Sequence, residues 1–331
     1  MVFGHGDDGF KYKDILYNFS SNVYQHADLT ALKEFLSKHL EVIKAYPEPE
    51  PIGLEHQIAK QLGVAPQCVL VTNGATDAIY LIARALNTLG CIFYKVFNPT
   101  FSEYEDASIK SGLLPTTENE DHTVCWLCNP NNPDGFVYNP DEVNRLAATY
   151  HMLVVDQSYA FFTEESLMLP SQCVTEKNII QIHSLTKKYA VPGLRIGYIV
   201  ANSEIVQRLR AYMQPWAVNA LAISAASFLI QHRCYCVKDI SAYLSEARRL
   251  ERALARIEGL QVKPSSTHFM LVRAEQLTAA ELKEQLALHY KMLIRDASNF
   301  AGLDSHWFRI AAQDRPENDL LVKAVRDCLG I

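Results

Sequence analysis

Short apolar runs alternate with amphipathic helical stretches through the middle of the chain. Residues 68–71, 91–97, 123–127 and 152–156 read as strands, and 76–89, 102–110 and 140–150 between them read as helices. Two further strands are expected at 179–183 and 194–200. Such alternation constrains the fold strongly. It requires an α/β architecture with a mostly parallel sheet wrapped by helices. Ligands on sheets of this kind bind beyond the carboxyl ends of the strands. The residues that follow each run are therefore the ones to read for chemistry.

The pattern changes after Met213. Helical periodicity covers 217–231, 237–257, 279–289 and 317–329, with strand-like 267–272, 292–295 and 307–311 between. This reads as a second, smaller α+β domain. The expected division is 46–213 for the large domain, with 1–45 and 214–331 forming the small one. A helix over 30–44 is expected to pack with the small domain. A chain of 331 residues is long enough for two such units.

Charge and cysteine usage narrow the function. The net charge is −6 with no basic run, which gives nucleic acid or a membrane surface no electrostatic support. The first eight residues lack the basic and apolar regions of a signal peptide. The longest uncharged stretch, 211–232, carries Gln214, Asn219, Ser224 and Gln231, too polar for a lipid span. Eight cysteines are present, yet Cys125-x-x-Cys128 lies in an apolar strand and has no second pair at zinc spacing. Reduced core thiols, no metal and a cytoplasmic location are expected.

After the run 179–183 come Ser184, Thr186, Lys187 and, eight residues further on, Arg195. A lysine held at a strand end suits Schiff-base chemistry, and the hydroxyls and guanidinium around it suit a dianionic phosphate. Thr72-Asn73-Gly74-Ala75-Thr76 joins a strand to a helix start, where free N–H groups favour an anion and Gly74 permits close approach. Asn129-Pro130-Asn131-Asn132-Pro133-Asp134-Gly135 forces a sharp turn after a third strand. Asp156 ends a fourth strand, where a carboxylate is costly unless paired. Arg309 is a charge inside the apolar run Trp307 to Ala311.

Taken in order, Tyr46, Gly74, Tyr104, Asn132, Asp156, Tyr159, Lys187, Arg195 and Arg309 resemble the set found in fold-type-I pyridoxal-phosphate enzymes, the class I/II aminotransferase family. Within it, the Ser-Leu-Thr-Lys and Ala-Val-Pro-Gly-Leu-Arg wording is most similar to the branch of threonine-phosphate decarboxylases and histidinol-phosphate aminotransferases. The resemblance implies a seven-stranded, mostly parallel large-domain sheet and a pyridoxal 5′-phosphate cofactor bound through Lys187. It implies that Asp156 keeps the pyridine nitrogen protonated, that Tyr104 stacks on the ring, and that Asn132 and Tyr159 bond to the phenolic oxygen. Gly74, Ala75, Thr76, Ser184, Thr186 and Arg195 would hold the cofactor phosphate, joined by Tyr46 from a neighbouring subunit. A homodimer with shared sites follows from that last role.

The same resemblance gives Arg309 the substrate carboxylate and Arg295 a substrate phosphate. Asp134 stands where the family usually has Thr or Ser, and Asp-Gln-Ser-Tyr replaces the common Asp-Glu-Ala-Tyr. Two reactions remain open: decarboxylation of a phosphorylated amino acid, and transamination. Gly4-His5-Gly6-Asp7-Asp8 and Phe19-Ser20-Ser21-Asn22 are similar to the decarboxylase N-terminus, which adds His5, Gly6 and Asn22 to the substrate contacts. That favours threonine phosphate as substrate and aminopropanol phosphate, used in the cobalamin side chain, as product. A binding-only relative would be expected to lack Lys187, Asp156 or Arg309, and all three are here.

Overall fold

The computed structural model describes residues 8–118 and 120–331. Its strands are β1 (Tyr17–Asn18), β2 (Val69–Thr72), β3 (Phe93–Val96), β4 (Leu114–Pro115), β5 (Thr123–Cys128), β6 (Met152–Asp156) and β7 (Ile179–Ser184). They continue as β8 (Gly197–Ala201), β9 (Leu260–Val262), β10 (Phe269–Ala274), β11 (Met292–Leu293), β12 (Arg295–Asp296) and β13 (Trp307–Ala311). Seven of them form one sheet in the order β2-β8-β7-β6-β5-β3-β4. β8 runs antiparallel to both its neighbours and the other pairings are parallel.

Successive residues of a strand point to opposite faces, and this sheet is buried on both. Val124, Trp126, Val154 and Ile182 pack on one face with Ile79 and Ile82 of the helix Ala75–Ala85. Cys125, Leu127, Leu153 and Val155 pack on the other with Val143 of the helix Pro140–Thr149. Cys125 and Cys128 thus belong to cores on opposite faces, which rules out their chelating one ion together. All eight thiols are free. Among the described residues, no helix is long and apolar enough to cross a membrane.

The second unit is the antiparallel sheet β12-β13-β10-β9. Phe269, Val272, Phe308 and Ile310 of that sheet share one core with Leu250, Leu282, Leu286, Leu321 and Val325 of three covering helices. The N-terminal segment joins it through β1, which pairs in parallel with β11, and through buried Phe19.

Several boundaries differ from the sequence expectation. The strand expected over 292–295 is two strands, because β11 pairs with β1 while β12 pairs with β13. The strand expected from 194 begins at Gly197, since Arg195 takes a left-handed φ of 56°. The helix expected over 30–44 is an α-helix only over Thr30–Lys38 and ends as a 3-10 turn, Leu40–Lys44. Its Leu32 lies in one core with Val69, Val71 and Val200 of the large sheet and with Ala222 and Leu229 of the helix Ala220–His232. Both helices therefore pack on the large sheet. The helix Ile52–Leu62 has no counterpart in the sequence expectation. Its buried Glu55 accepts the Val71 N–H at 3.1 Å and an Arg210 guanidinium N–H at 2.8 Å, so the charge is compensated.

Candidate active site

The carboxyl ends of β5, β6 and β7 open onto a cavity of about 560 Å³. Asn132, Asp156, Tyr159, Ser184, Thr186, Lys187, Arg195, Arg295 and Arg309 all line it, as do Ala75, Thr76 and Tyr104. Residues that lie far apart in the chain converge there because each follows, ends or sits on one of a few elements packed side by side.

β6 delivers Asp156 to the floor. One carboxylate oxygen accepts the Tyr104 phenol at 2.7 Å, and the other accepts the Ser158 N–H at 2.9 Å. Burial pushes the Asp156 carboxyl upward, opposed by these hydrogen bonds. None of the described residues gives it a cationic partner within ion-pair distance. The Tyr104 ring lies between the cavity and Trp126, stacked on the indole at 5.5 Å between centroids.

The turn after β5 is braced internally. Asn129 donates to the Tyr138 carbonyl at 2.8 Å and accepts the Tyr138 N–H at 2.9 Å. Asn131 donates to Asp134 at 2.7 Å, and Asp134 also accepts the Phe136 N–H at 3.2 Å. Asp134 thus acts within the turn, which accounts for an acid in place of Thr or Ser. Gly135 has φ 75°, and a Cβ there would meet Ser265 Oγ at 2.0 Å. Braced in this way, the turn presents Asn132, whose Oδ1 accepts an Arg309 N–H.

β7 runs into the short helix Leu185–Lys188, which carries Lys187 half-buried into the cavity. Its ammonium donates to the Ser21 carbonyl at 3.0 Å. Thr186 Oγ1 is buried and has no hydrogen-bond partner among the described residues. Across from it, the helix Ala75–Ala85 begins after Gly74, with φ 88°. A Cβ on Gly74 would lie 2.8 Å from an Arg195 guanidinium nitrogen, so only glycine lets the arginine lie against this helix start.

The second sheet supplies the opposite wall. Arg295 and Arg309 are direct partners across β12 and β13. Arg309 donates to the Ser20 carbonyl at 2.6 Å, and Arg295 to Asn299 Oδ1 at 2.8 Å. Burial draws the Arg309 guanidinium down to about 10, and like-charged Arg295 acts in the same direction. Two buried guanidiniums side by side favour an anionic ligand. Tyr159 packs edge-on against Phe269 and accepts an Asn22 amide N–H at 3.1 Å. Burial pushes its phenol up to about 12, leaving it protonated.

Other expected residues lie elsewhere. Tyr46 is 85% exposed, outside this cavity, and 5.3 Å from the Trp216 ring. His5 and Gly6 fall outside the described residues. Sequence reasoning missed Ser20 and Ser21, whose carbonyls meet Arg309 and Lys187. It also missed Asn299 and Phe300, which line the cavity beside Arg295. A backbone carbonyl leaves no mark in a sequence, and the spacing from Arg295 to Asn299 carries no signal.

These residues fit pyridoxal phosphate on three grounds. Thr186 offers an orphaned hydroxyl and the Gly74 cradle offers a helix start with Arg195, both suited to a phosphate. Buried Asp156 would gain a cation from a protonated pyridine nitrogen. Lys187 supplies the amine at the cavity wall.

Known proteins agree. A family model described as "Aminotransferase class I and II" matches residues 108–325. The chain is 28% identical to a threonine-phosphate decarboxylase of Salmonella typhimurium, over 96% of this chain and 92% of that one. It is 29% identical to a histidinol-phosphate aminotransferase of a Thermoanaerobacter species, over 87% of this chain and 85% of that one. Among solved structures, an L-threonine-O-3-phosphate decarboxylase from Porphyromonas gingivalis superposes with a TM-score of 0.88 at 40% identity, covering 96% of this chain and all of that one. The chain belongs to the class I and II aminotransferase family and is a pyridoxal 5′-phosphate-dependent enzyme.

Proposed function

We propose that the enzyme decarboxylates L-threonine O-3-phosphate, giving carbon dioxide and aminopropanol phosphate. The observation that carries this reading is the 40% identity, over nearly the whole chain, to a solved decarboxylase of that specificity. Paired Arg295 and Arg309 support it, because this substrate carries two anionic groups a few bonds apart. A second reading, histidinol-phosphate transamination, is favoured by curated relatives of that activity at 29% identity.

The bound cofactor supplies an aldehyde for the substrate amine and a ring that draws electrons from Cα. The protein's residues divide the remaining work. Lys187 would hold the cofactor and move a proton at Cα. Asp156 would keep the ring nitrogen protonated, Tyr104 would pack on the ring, and Asn132 and Tyr159 would bond to the phenolic oxygen. Gly74, Ala75, Thr76, Ser184, Thr186 and Arg195 hold the cofactor phosphate. Arg309 grips the substrate carboxylate, while Arg295 and the His5-Gly6 segment receive its phosphate; Asn22, expected beside them, is buried behind the cavity wall and holds Tyr159. Tyr46, exposed on its own chain, reaches the site of a second subunit in a homodimer. The large domain spans about 46–213, with the helices Thr30–Lys38 and Ala220–His232 packed on its sheet, and the small one takes the remainder.

The test is to give the enzyme L-threonine O-3-phosphate alone and, separately, histidinol phosphate with 2-oxoglutarate. Carbon dioxide from the first and no glutamate from the second is expected. The reverse would replace this reading with the aminotransferase one.

A substitution checks the phosphate cradle. Gly74→Ala places a methyl 2.8 Å from the Arg195 guanidinium and forces a β-carbon into a left-handed backbone. Cofactor affinity is expected to fall on the order of tenfold, the value of about one hydrogen bond to a charged group. Titration of the unloaded protein with pyridoxal phosphate reads this directly, and an unchanged affinity would separate Gly74 from the phosphate.

A further inference from the structure

Three consecutive residues of the N-terminal segment are tied to the site. The Ser20 carbonyl accepts from Arg309 at 2.6 Å, and the Ser21 carbonyl accepts from Lys187 at 3.0 Å. The Asn22 side chain donates to the Tyr159 hydroxyl at 3.1 Å. Asn22 is fully buried with a left-handed φ of 51°, a conformation that asparagine takes more readily than most residues.

The backbone of Asn22 meets a histidine which the reaction does not otherwise use. His268, just before β10, is fully buried and packs against the Phe162 ring, 4.0 Å between centroids. Its Nε2 lies 3.3 Å from the Asn22 carbonyl. A carbonyl only accepts, so Nε2 carries the ring proton. Nδ1 is buried and has no hydrogen-bond partner among the described residues. Burial pulls the imidazole down to about 3, the bond to Asn22 opposes this, and the positive Lys187 and Arg309 reinforce it. The ring is therefore a neutral, single-proton donor across the working pH range.

We propose that His268 is a positioning residue. Its Nε2–H fixes the Asn22 peptide, so that the Asn22 amide meets Tyr159 and the neighbouring Ser21 carbonyl meets Lys187. The inference rests on the placement of Tyr159 and Lys187 in the active site. A histidine that merely fills the core would affect stability alone. One that positions Asn22 alters the surroundings of the bound cofactor through Tyr159, and with them its absorbance.

The experiment compares cofactor-loaded His268→Leu, His268→Gln, Asn22→Ala and the His268→Leu/Asn22→Ala double variant. Visible absorbance at fixed pH, kcat, KM and Tm are measured for each. His268→Leu is expected to change the absorbance band and lower kcat about tenfold, the effect of one lost hydrogen bond, with KM changing less. Asn22→Ala should do the same, and the double variant should be no worse than the poorer single. His268→Gln, which keeps an N–H donor, should recover most of kcat. If the Leu variant does not fold, His268→Phe removes the donor while keeping a ring. A lower Tm with unchanged absorbance and kcat would overturn the proposal, as would effects that multiply in the double variant. Unchanged absorbance and kcat in Tyr159→Phe would remove the active-site placement itself, and the proposal with it.

Discussion

Replacing Lys187 with alanine is expected to lower turnover by about 10⁴-fold or more while the protein stays folded. In the proposed reaction the side chain would do two things at once, holding the cofactor and moving a proton at Cα, and proton transfer by a positioned group alone contributes about 10²–10⁴-fold. Among its contacts the substitution removes the hydrogen bond from Nζ to the Ser21 carbonyl. Borohydride reduction of the loaded enzyme should leave a stable adduct on Lys187, found by peptide mass spectrometry. The adjacent Lys188 is the internal control. Its ammonium lies over the rings of Tyr235, Tyr189 and Phe161 at 4.9, 5.7 and 5.9 Å and lines a separate cavity. An adduct on Lys188 would contradict the assignment.

Asp156→Asn is expected to lower turnover about 10²–10³-fold, the usual cost of losing one preorganised electrostatic contact. The substitution keeps the size and one carbonyl acceptor for the Ser158 N–H, with the new amide donating to the Tyr104 hydroxyl, but removes the charge that would hold the ring nitrogen protonated. Stability should move differently. Burial raises the Asp156 carboxyl above its unfolded value. The stability of such a group is fully present below the unfolded pKa and is lost as pH rises through the folded one. Above the unfolded pKa, burial of this group therefore costs the unloaded protein stability, and the asparagine does not carry that cost. Without cofactor, the variant should melt at the same temperature as the parent or higher. A variant that melts lower yet turns over normally would place Asp156 among structural residues.

What could be read from the sequence follows from where the chemistry sits. Asn132, Asp156 and Lys187 each follow or end an apolar run, so the strand pattern pointed to them before any contact was known. Arg309 stood out as a charge in a buried strand. Partners made by backbone were silent: nothing in Ser20-Ser21 announces that its carbonyls meet Arg309 and Lys187. The helix Ile52–Leu62 was hidden by the run Pro47-Glu48-Pro49-Glu50-Pro51 before it, which reads as loop although Leu54, Ile58, Ala59 and Leu62 keep helical spacing. The split of 292–295 depended on β1, more than 270 residues earlier in the chain. Pairing over that distance leaves no local trace.

In the proposed reaction the bond broken at Cα is the one to the carboxylate. The most direct measurement uses L-threonine O-3-phosphate carrying deuterium at Cα and a labelled carboxyl carbon, with 2-oxoglutarate present as an amino-group acceptor. Decarboxylation predicts that all of the carboxyl label leaves as carbon dioxide, while the deuterium stays in aminopropanol phosphate beside one hydrogen taken from solvent. Loss of the deuterium to solvent with the carboxyl label retained in a keto acid would contradict the account and make the enzyme an aminotransferase.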